Sequence, residues 1–331
     1  MNITPRNYWK EPSELKTEPR SMAQQMKSVK PSCNGKSRFE TMGGALEEVP
    51  CLLCKSTSWT DYDTENGYRL VKCSDCGLLF TNPRPSSSEI DAASKSGMHK
   101  GDEELEVSGE FRPFMKEIYL SVLNDFQYPA KFTSDAPVDW LDIGCGHGEF
   151  VEALNIVGGE GIAVTGLEPN EHKRAAAKTR GMDLVFFDTT EHDRTYDVIS
   201  ALNVFSHLPD PREDIGQWVS MLNEGGELFL QTGDSSHLEA KHHHKPYSLP
   251  DHLSFASETL LVAMLESLGL EVVQVMKYRM GMFPRFTPVN IVKEIARFFL
   301  PGHTATFQFF PKHPERDMYI RARKPMNREN G

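Results

Sequence analysis

Four of the six cysteines in this 331-residue chain fall into two pairs, Cys51 with Cys54 and Cys73 with Cys76, separated by 18 residues. Two C-x-x-C steps at that separation have the spacing of a zinc ribbon, and four thiolates close a tetrahedron around the ion. No coordination position is left open, so the expected metal is structural rather than catalytic. Each pair sits on a short turn, PCLLCKS and KCSDCGL. Neighbouring amides there can stabilise thiolates, and a small hairpin unit with little core gains most from a metal. Four plain buried cysteines or two disulfides are the competing readings, and the regular pairing favours zinc. Cys33 and Cys145 stand outside the pattern.

A second constellation lies in VDWLDIGCGHGEF, an apolar strand that runs into Gly144, Gly146 and Gly148 and then into a helix. Glycines at such a turn let the backbone approach a ligand closely. The pattern is not the G-x-G-x-x-G of a dinucleotide site. Asp142 lies two residues before the first glycine, where it would oppose a pyrophosphate and attract an ammonium. Glu168, twenty residues past Gly148 at the end of the next strand, is placed to accept the hydroxyl protons of a ribose. The ligand that fits has a ribose and a cation and no phosphate.

These residues resemble the class I S-adenosylmethionine-dependent methyltransferases. LDIGCGHG is similar to their first motif, GLEPN to the acidic end of their second strand, and LNEGGELFLQT to the approach to their fifth. In order, CGLLFTNPRPS, NVFSHLPDP and PDHLSFASETL resemble a bacterial branch with an N-terminal zinc-binding unit, often linked with sugar or polysaccharide biosynthesis. Ser206 departs from it, standing where that branch usually has Glu. The resemblance implies that Asp142 holds the methionine amino group and that Gly144, Cys145, Gly146 and Gly148 pack against the cofactor. It also implies that Glu168, followed by Pro169, binds the ribose, that Asp188 meets the adenine amino group, and that Asn203 faces the methyl. A plain loop aspartate is an equal reading of Asp188.

Among twelve histidines, His207 and His252 are the candidate catalytic residues, because both fall in loops after strands, where open parallel sheets bind ligands. His252 is the expected general base, with Asp251 beside it to favour the protonated form; a loop histidine that only shapes the pocket is the alternative. The triplet at 242–244 lies in a polar loop without a completing carboxylate and reads as bland. No NPPY-like segment follows the fourth strand, which argues against methylation of amino groups on DNA bases.

The elements that must position these groups follow from the periodicity. From Val138 onward, VDWLDI, AVTGLE, DLVFF, DVISAL, ELFLQT, EVVQVM and DMYIRA read as strands alternating with helices. The expected architecture is α/β: a Rossmann-like, seven-stranded, mostly parallel sheet with helices on both faces, preceded by a small zinc ribbon. The expected divisions are a mobile tail over 1–48, the ribbon over 49–85, a helical connector over 86–134 and the methyltransferase domain over 135–331. Within the last, NIVKEIARFFLP in the segment 283–314 has an apolar helical face and is expected to form a lid, with docking to a membrane surface as the alternative.

Charge narrows the partners. Residues 135–230 carry six basic against eighteen acidic residues, whereas residues 277–331 carry eleven against four and residues 1–40 eight against four. An acidic centre repels a phosphate backbone, so an RNA methyltransferase using the ribbon to hold RNA is the weaker alternative. A non-catalytic binding module is disfavoured by the near-complete motifs. The expectation is a cytoplasmic enzyme that uses S-adenosylmethionine and structural zinc on a small-molecule acceptor, a sugar, nucleotide-linked sugar or glycan. No apolar run spans a bilayer and no secretory leader is evident, while peripheral membrane contact stays open.

Overall fold

The computed structural model describes residues 46–99, 105–106, 109–128, 137–279, 288–300 and 315–326. The tail expected over 1–48 therefore lies outside the described residues except for its last three.

After a two-residue strand, β1 (Leu46–Glu47), the cysteine unit is built on a hairpin of β2 (Trp59–Glu65) and β3 (Tyr68–Cys73). Asn66 and Gly67 turn it with φ of 53° and 83°, the left-handed pair that matches the twist of a tight hairpin. β4 (Leu79–Thr81) pairs antiparallel with β3, and β5 (Arg84–Pro85) returns to β1. The connector follows as α1 (Ser87–Ser96), opened by a Ser86–Glu89 capping box, the short pair β6 (Met98–His99) and β7 (Leu105–Glu106), and α2 (Pro113–Asp125).

The large sheet begins with β8 (Val138–Ile143), and its succeeding elements are α3 (Glu149–Gly158), β9 (Ile162–Leu167), α4 (Glu171–Thr179), β10 (Tyr196–Leu202), α5 (Pro211–Ser220) and β11 (Leu222–Gly233). Then come β12 (Ser254–Phe255), α6 (Glu258–Ser267), β13 (Glu271–Arg279), α7 (Pro288–Phe299) and β14 (Glu315–Arg323). The order across the sheet is β13-β14-β11-β10-β8-β9. β9, β8, β10 and β11 are mutually parallel, and β14 runs antiparallel to both of its neighbours. The seventh strand expected at DLVFF is reduced to one parallel bridge, Leu167 to Val185. Only Leu184 of that segment is well buried, Val185 and Phe186 being exposed, so there is little to hold a longer ladder.

Alternation along the strands divides the interior in two. Trp140, Val198, Phe229 and Tyr319 face Phe150 and Leu154 of α3 and Val122 and Leu123 of α2. Leu141, Ile199, Leu228 and Ile320 face Ile215 and Trp218 of α5 and Leu261 and Leu265 of α6. The second core does not stop at the sheet. Cys51, Leu52, Val71, Leu78 and Phe80 of the cysteine unit belong to it, and β12, far along the chain, pairs with β4 to complete the unit's four-stranded sheet. A unit of this size cannot bury enough surface by itself, so it shares the core of the larger sheet.

Candidate active site and four-cysteine cluster

The carboxyl ends of β8, β9 and β10 bring three loops to one edge of the sheet. In the first, Gly144, Gly146 and Gly148 have φ of 65°, 59° and 86°, a region that side chains rarely enter. A Cβ on Gly144 would stand 2.5 Å from Val204 Cγ2, and one on Gly148 would stand 2.1 Å from Met182 Sδ. The loop is thereby packed closely against the segment after β10. Cys145 is buried with Val151, Ala177 and Leu184; its side chain belongs to packing, while its N–H donates to the Leu167 carbonyl and its carbonyl accepts from Gly148 N–H.

Asp142 is 1% exposed, and its neighbours explain its state. Ser200, directly opposite it across the β8–β10 ladder, donates its hydroxyl to Asp142 Oδ1 at 2.6 Å and accepts the Trp140 indole N–H at 2.8 Å. Asp142 Oδ2 is buried and has no hydrogen-bond partner. Burial, reinforced by Glu168 and Glu149, pushes the carboxyl up to about 7, against the hydrogen bond from Ser200. A buried acceptor without a donor is costly, and a ligand ammonium placed there would supply the missing donor.

Glu168, 4% exposed, has both oxygens engaged: Gly146 N–H donates to Oε2 at 2.7 Å and Asn170 N–H to Oε1 at 2.9 Å. Burial pushes its pKa above the usual carboxylate range, making it a weaker acid. Its carboxylate spans the glycine loop and the head of α4, which Asn170 caps. Pro169 is half-buried between them, and Arg174 donates to the carbonyls of Glu168 and Pro169 at 2.6 and 2.7 Å. Asp188 is exposed, and its Oδ1 accepts from Thr190 Oγ1 and N at 2.7 and 2.9 Å, which holds its carboxyl below the usual range. That is a self-contained loop turn. Asn203 is exposed at the end of β10 with φ of 59°, its N–H donating to the Gln231 carbonyl at 3.0 Å.

The histidines meet beside this edge. The rings of His207 and His252 are 4.9 Å apart, edge to face. His207 Nδ1 lies 2.9 Å from the Asp251 carbonyl and 3.3 Å from its Oδ1; His252 Nδ1 lies 2.8 Å from the Tyr247 carbonyl. A carbonyl only accepts, so in the neutral rings both Nδ1 atoms carry the hydrogen and both Nε2 atoms keep the lone pair. Burial, with His207 adding to it, pushes His252 down to about 4. Asp251 is held well below the usual carboxylate range against burial by His207 and His99, the latter 3.7 Å away. Its carboxylate stands closest to His207 and His99, and it also favours the protonated form of His252, as the sequence suggested, though burial and His207 outweigh it there. His243, of the triplet, packs against Tyr247 and Phe255.

The cysteine unit reaches this loop directly. Thr81 N–H donates to the Leu253 carbonyl at 2.9 Å and Leu253 N–H to the Ser206 carbonyl at 2.6 Å. Tyr247 and Leu249 N–H groups donate to Glu65 at 2.7 and 3.0 Å, and Arg84 donates to the Pro209 carbonyl at 2.7 Å. Ser200 and this suture escaped the sequence reading, as did the approach of the Asp251 carboxylate to His207 and His99. Ser200 is one small residue in an apolar strand, and only the register with Asp142 marks it out.

Cys51, Cys54, Cys73 and Cys76 come together with their sulfurs all within 4.8 Å of one another. Two of the separations, Cys51 to Cys76 and Cys54 to Cys73, are 3.5 Å, close to the ~3.8 Å edge of a tetrahedron built on a Zn–S length of ~2.3 Å. Each pair closes a matched turn: Lys55 N–H returns to the Cys51 carbonyl and Gly77 N–H to the Cys73 carbonyl, with φ of 61° at Lys55 and 82° at Gly77. Cys51 falls to about 5 through its contact with Cys76, while that contact drives Cys76 up. One thiolate at the other's expense is what four sulfurs show without a cation, so the donor set and its spacing fit structural zinc.

Fold and carboxylate pair together define the class: an α/β methyltransferase fold, with a four-cysteine unit on a small antiparallel sheet before it. The chain carries a class I S-adenosylmethionine-dependent methyltransferase domain, and residues 111–275 match the family described as a methyltransferase domain. Among curated proteins it is similar to the ubiquinone biosynthesis O-methyltransferases of Saccharophagus degradans, at 29% identity over 38% of this chain and 55% of that one, and of Marinobacter nauticus, at 34% over 28% and 42%. It spans about half the length of these relatives. Among solved structures it is similar to a SAM-dependent methyltransferase from Archaeoglobus fulgidus, at 19% identity over 63% of this chain and 94% of that one, with a TM-score of 0.43. Among the described residues no helix is long and apolar enough to cross a membrane.

Proposed function

We propose that the protein moves the methyl group of S-adenosylmethionine to a hydroxyl oxygen of a small molecule, of the sugar, nucleotide-linked sugar or glycan class. The observation that carries the reading is the pair formed by Asp142, whose buried Oδ2 has no donor, and Glu168 across the left-handed glycine loop. Oxygen as the receiving atom draws support from the O-methyltransferase names of the relatives. The acidic centre disfavours a nucleic-acid acceptor.

The cofactor supplies an electrophilic methyl on a sulfonium that is already a good leaving group. Asp142 would hold the ammonium, Glu168 would receive the ribose hydroxyls, and Asn203 with the backbone of 144–148 would lie toward the methyl. Asp188, at the rim, reaches the adenine only if its loop turn opens. Holding acceptor and methyl in line is worth ~7–11 kcal/mol. The acceptor's hydroxyl proton would pass to Nε2 of a histidine. His207, with the Asp251 carboxylate beside it to stabilise the imidazolium, is the better acceptor; His252, held at about 4, binds a proton weakly.

The test is to incubate fractionated small molecules from cell extract with methyl-labelled S-adenosylmethionine and the purified protein, and to identify labelled products by mass. A labelled sugar or glycan ether supports the reading. A product labelled on carbon or nitrogen refutes the oxygen assignment, and label confined to RNA refutes the small-molecule class.

A further inference from the structure

Four polar groups from three parts of the chain converge beside the carboxyl edge of the large sheet. One ring nitrogen of His207, one of His252 and a carboxylate oxygen of Asp251 all lie within 4.8 Å of one another. His99 Nε2, from β6, stands 3.7 Å from the same Asp251 oxygen that lies 3.3 Å from His207 Nδ1. Among the described residues, only this group and the four cysteines bring three or more potential metal ligands so close together. All four residues are partly exposed, so an ion can reach them from solvent. Their backbones are held in place. Leu253 N–H donates to the Ser206 carbonyl at 2.6 Å, which ties the residue after His252 to the residue before His207, and His252 N–H donates to the Ser248 carbonyl at 3.0 Å. The rings are anchored as well, His207 Nδ1 on the Asp251 carbonyl at 2.9 Å and His252 Nδ1 on the Tyr247 carbonyl at 2.8 Å. Metal-binding imidazoles are held in this way, with one nitrogen on a carbonyl and the lone pair on the other. A single base needs one lone pair, whereas three imidazoles around one carboxylate make a donor set for a cation.

Ligand chemistry identifies the ion. Two imidazoles and one carboxylate suit a borderline divalent ion such as zinc, cobalt or nickel, whereas magnesium and calcium prefer oxygen ligands. A tetrahedral ion bound at ~2.0–2.1 Å sets its ligands ~3.3 Å apart, and the three donor atoms stand near enough for side-chain rotation to reach that spacing. We propose that His207, His252 and Asp251, with His99 beside them, form a second metal site that takes up a divalent transition-metal ion reversibly. Three protein ligands leave a coordination position open and hold an ion less firmly than four thiolates, so this ion exchanges where the zinc of the cysteine cluster is structural. The binding does not depend on the methyl-transfer reading. Its consequence does: an ion on the rings takes the lone pair of His207 that would receive the acceptor's proton, so occupancy opposes turnover.

The experiment is equilibrium dialysis of the full-length, zinc-loaded protein against cobalt(II), with both metals counted by elemental analysis and the cobalt absorption recorded. The expected result is about one cobalt per chain in addition to the zinc, with ligand-field bands and no thiolate charge transfer. His207→Ala and His252→Ala should each weaken cobalt binding ~10-fold or more while zinc content and S-adenosylhomocysteine affinity are kept. Should either variant melt early, Asp251→Asn, which keeps the shape of the side chain, provides the same comparison. His242→Ala with His244→Ala, in the neighbouring histidine triplet, should leave the cobalt in place. Wild-type protein that takes up no cobalt beyond its zinc overturns the proposal, as does a folded His207 or His252 variant that binds like wild type. Loss of the cobalt in the triplet variant, or a thiolate charge-transfer band showing that cobalt has replaced zinc, overturns it too. Methyl transfer that falls as the site fills supports the consequence; full transfer with the site occupied refutes His207 as the base and leaves the metal site standing.

Discussion

Thr81, in the cysteine unit, donates its hydroxyl to the carbonyl of His252 at 3.2 Å. With the neighbouring Thr81–Leu253 and Leu253–Ser206 bonds, this joins the cysteine knuckles to the loops that carry both histidines. The four-cysteine unit is therefore tied directly to the loops that carry His207 and His252.

Metal loss should accordingly be felt at a distance. About one zinc per chain is expected by elemental analysis, with Cys73→Ser losing it. Because β12 is a strand of the cysteine unit's sheet, hydrogen exchange over residues 247–255 should rise in the variant along with that of the knuckles. Unchanged metal content would defeat the zinc assignment, and protection of 247–255 with the knuckles open would defeat the coupling.

Asp142→Asn should separate stability from binding. Ionising a buried carboxyl held at about 7 is unfavourable in the free protein, so the amide variant should melt no lower than wild type at neutral pH, while its affinity for S-adenosylhomocysteine falls ~10-fold or more. In wild type an ammonium at Oδ2 favours the carboxylate, so binding releases a proton below pH 7, and affinity should drop by up to ~10-fold per pH unit on further acidification. Calorimetry in buffers of different ionisation heat reads the proton directly.

Glu168→Ala should weaken cofactor binding by ~1.5–3 kcal/mol, the scale of hydrogen bonds to a charged group. The Gly146 and Asn170 N–H groups lose their acceptor as well, so Glu168→Gln, which keeps one oxygen, should lose less. Equal affinities for wild type and the folded Ala variant would sink the ribose role.

Much of this was legible in the sequence for identifiable reasons. Asp142, the glycines and Glu168 belong to one local strand–turn–helix–strand unit, and spacing along the chain fixes where they meet. The cysteine pairs are equally local. The integration of the cysteine unit was not legible, because β12 is two residues long and lies more than 170 residues from its partner β4. Nor was Asp251's orientation toward His207 and His99, since adjacency in sequence pointed to His252. The DLVFF strand was overcalled because its apolar run carries Val185 and Phe186 on the outside, with Phe186 beneath the cations of Arg174 and Lys95 at 5.5 and 5.7 Å.

His252 and Asp142 should pull acid stability in opposite directions. A histidine held at about 4 takes up its proton in the unfolded chain near 6.5, so its contribution is full above pH 6.5 and is lost as pH falls toward 4. The Asp142 carboxyl, raised from 3.8 to about 7, takes up its proton in the folded state first and gains stability over the same fall. Relative to wild type, His252→Gln should therefore become more stable on acidification from 6.5 to 4, and Asp142→Asn less stable, each approaching ~1.4 kcal/mol per pH unit mid-window. Denaturant melts at three pH values would show it, and parallel curves for the two variants would refute the assignment.

The division of labour between the two imidazoles gives the last prediction. Both present Nε2 as the free lone pair, but only His207 has a carboxylate within 3.3 Å to stabilise its charged form. General-base catalysis contributes ~10²- to 10⁴-fold, so His207→Ala should lower turnover by ~10²-fold or more with cofactor affinity intact. Asp251→Asn should act in the same direction and less strongly, because it removes only the support for the imidazolium. His252→Gln should keep much of the turnover if its ring chiefly supports His207 edge-on across 4.9 Å. Single-turnover transfer of labelled methyl to the acceptor identified from extract is the measurement. A larger loss at His252 than at His207, with both variants folded and binding cofactor, would reverse the assignment and make His252 the base.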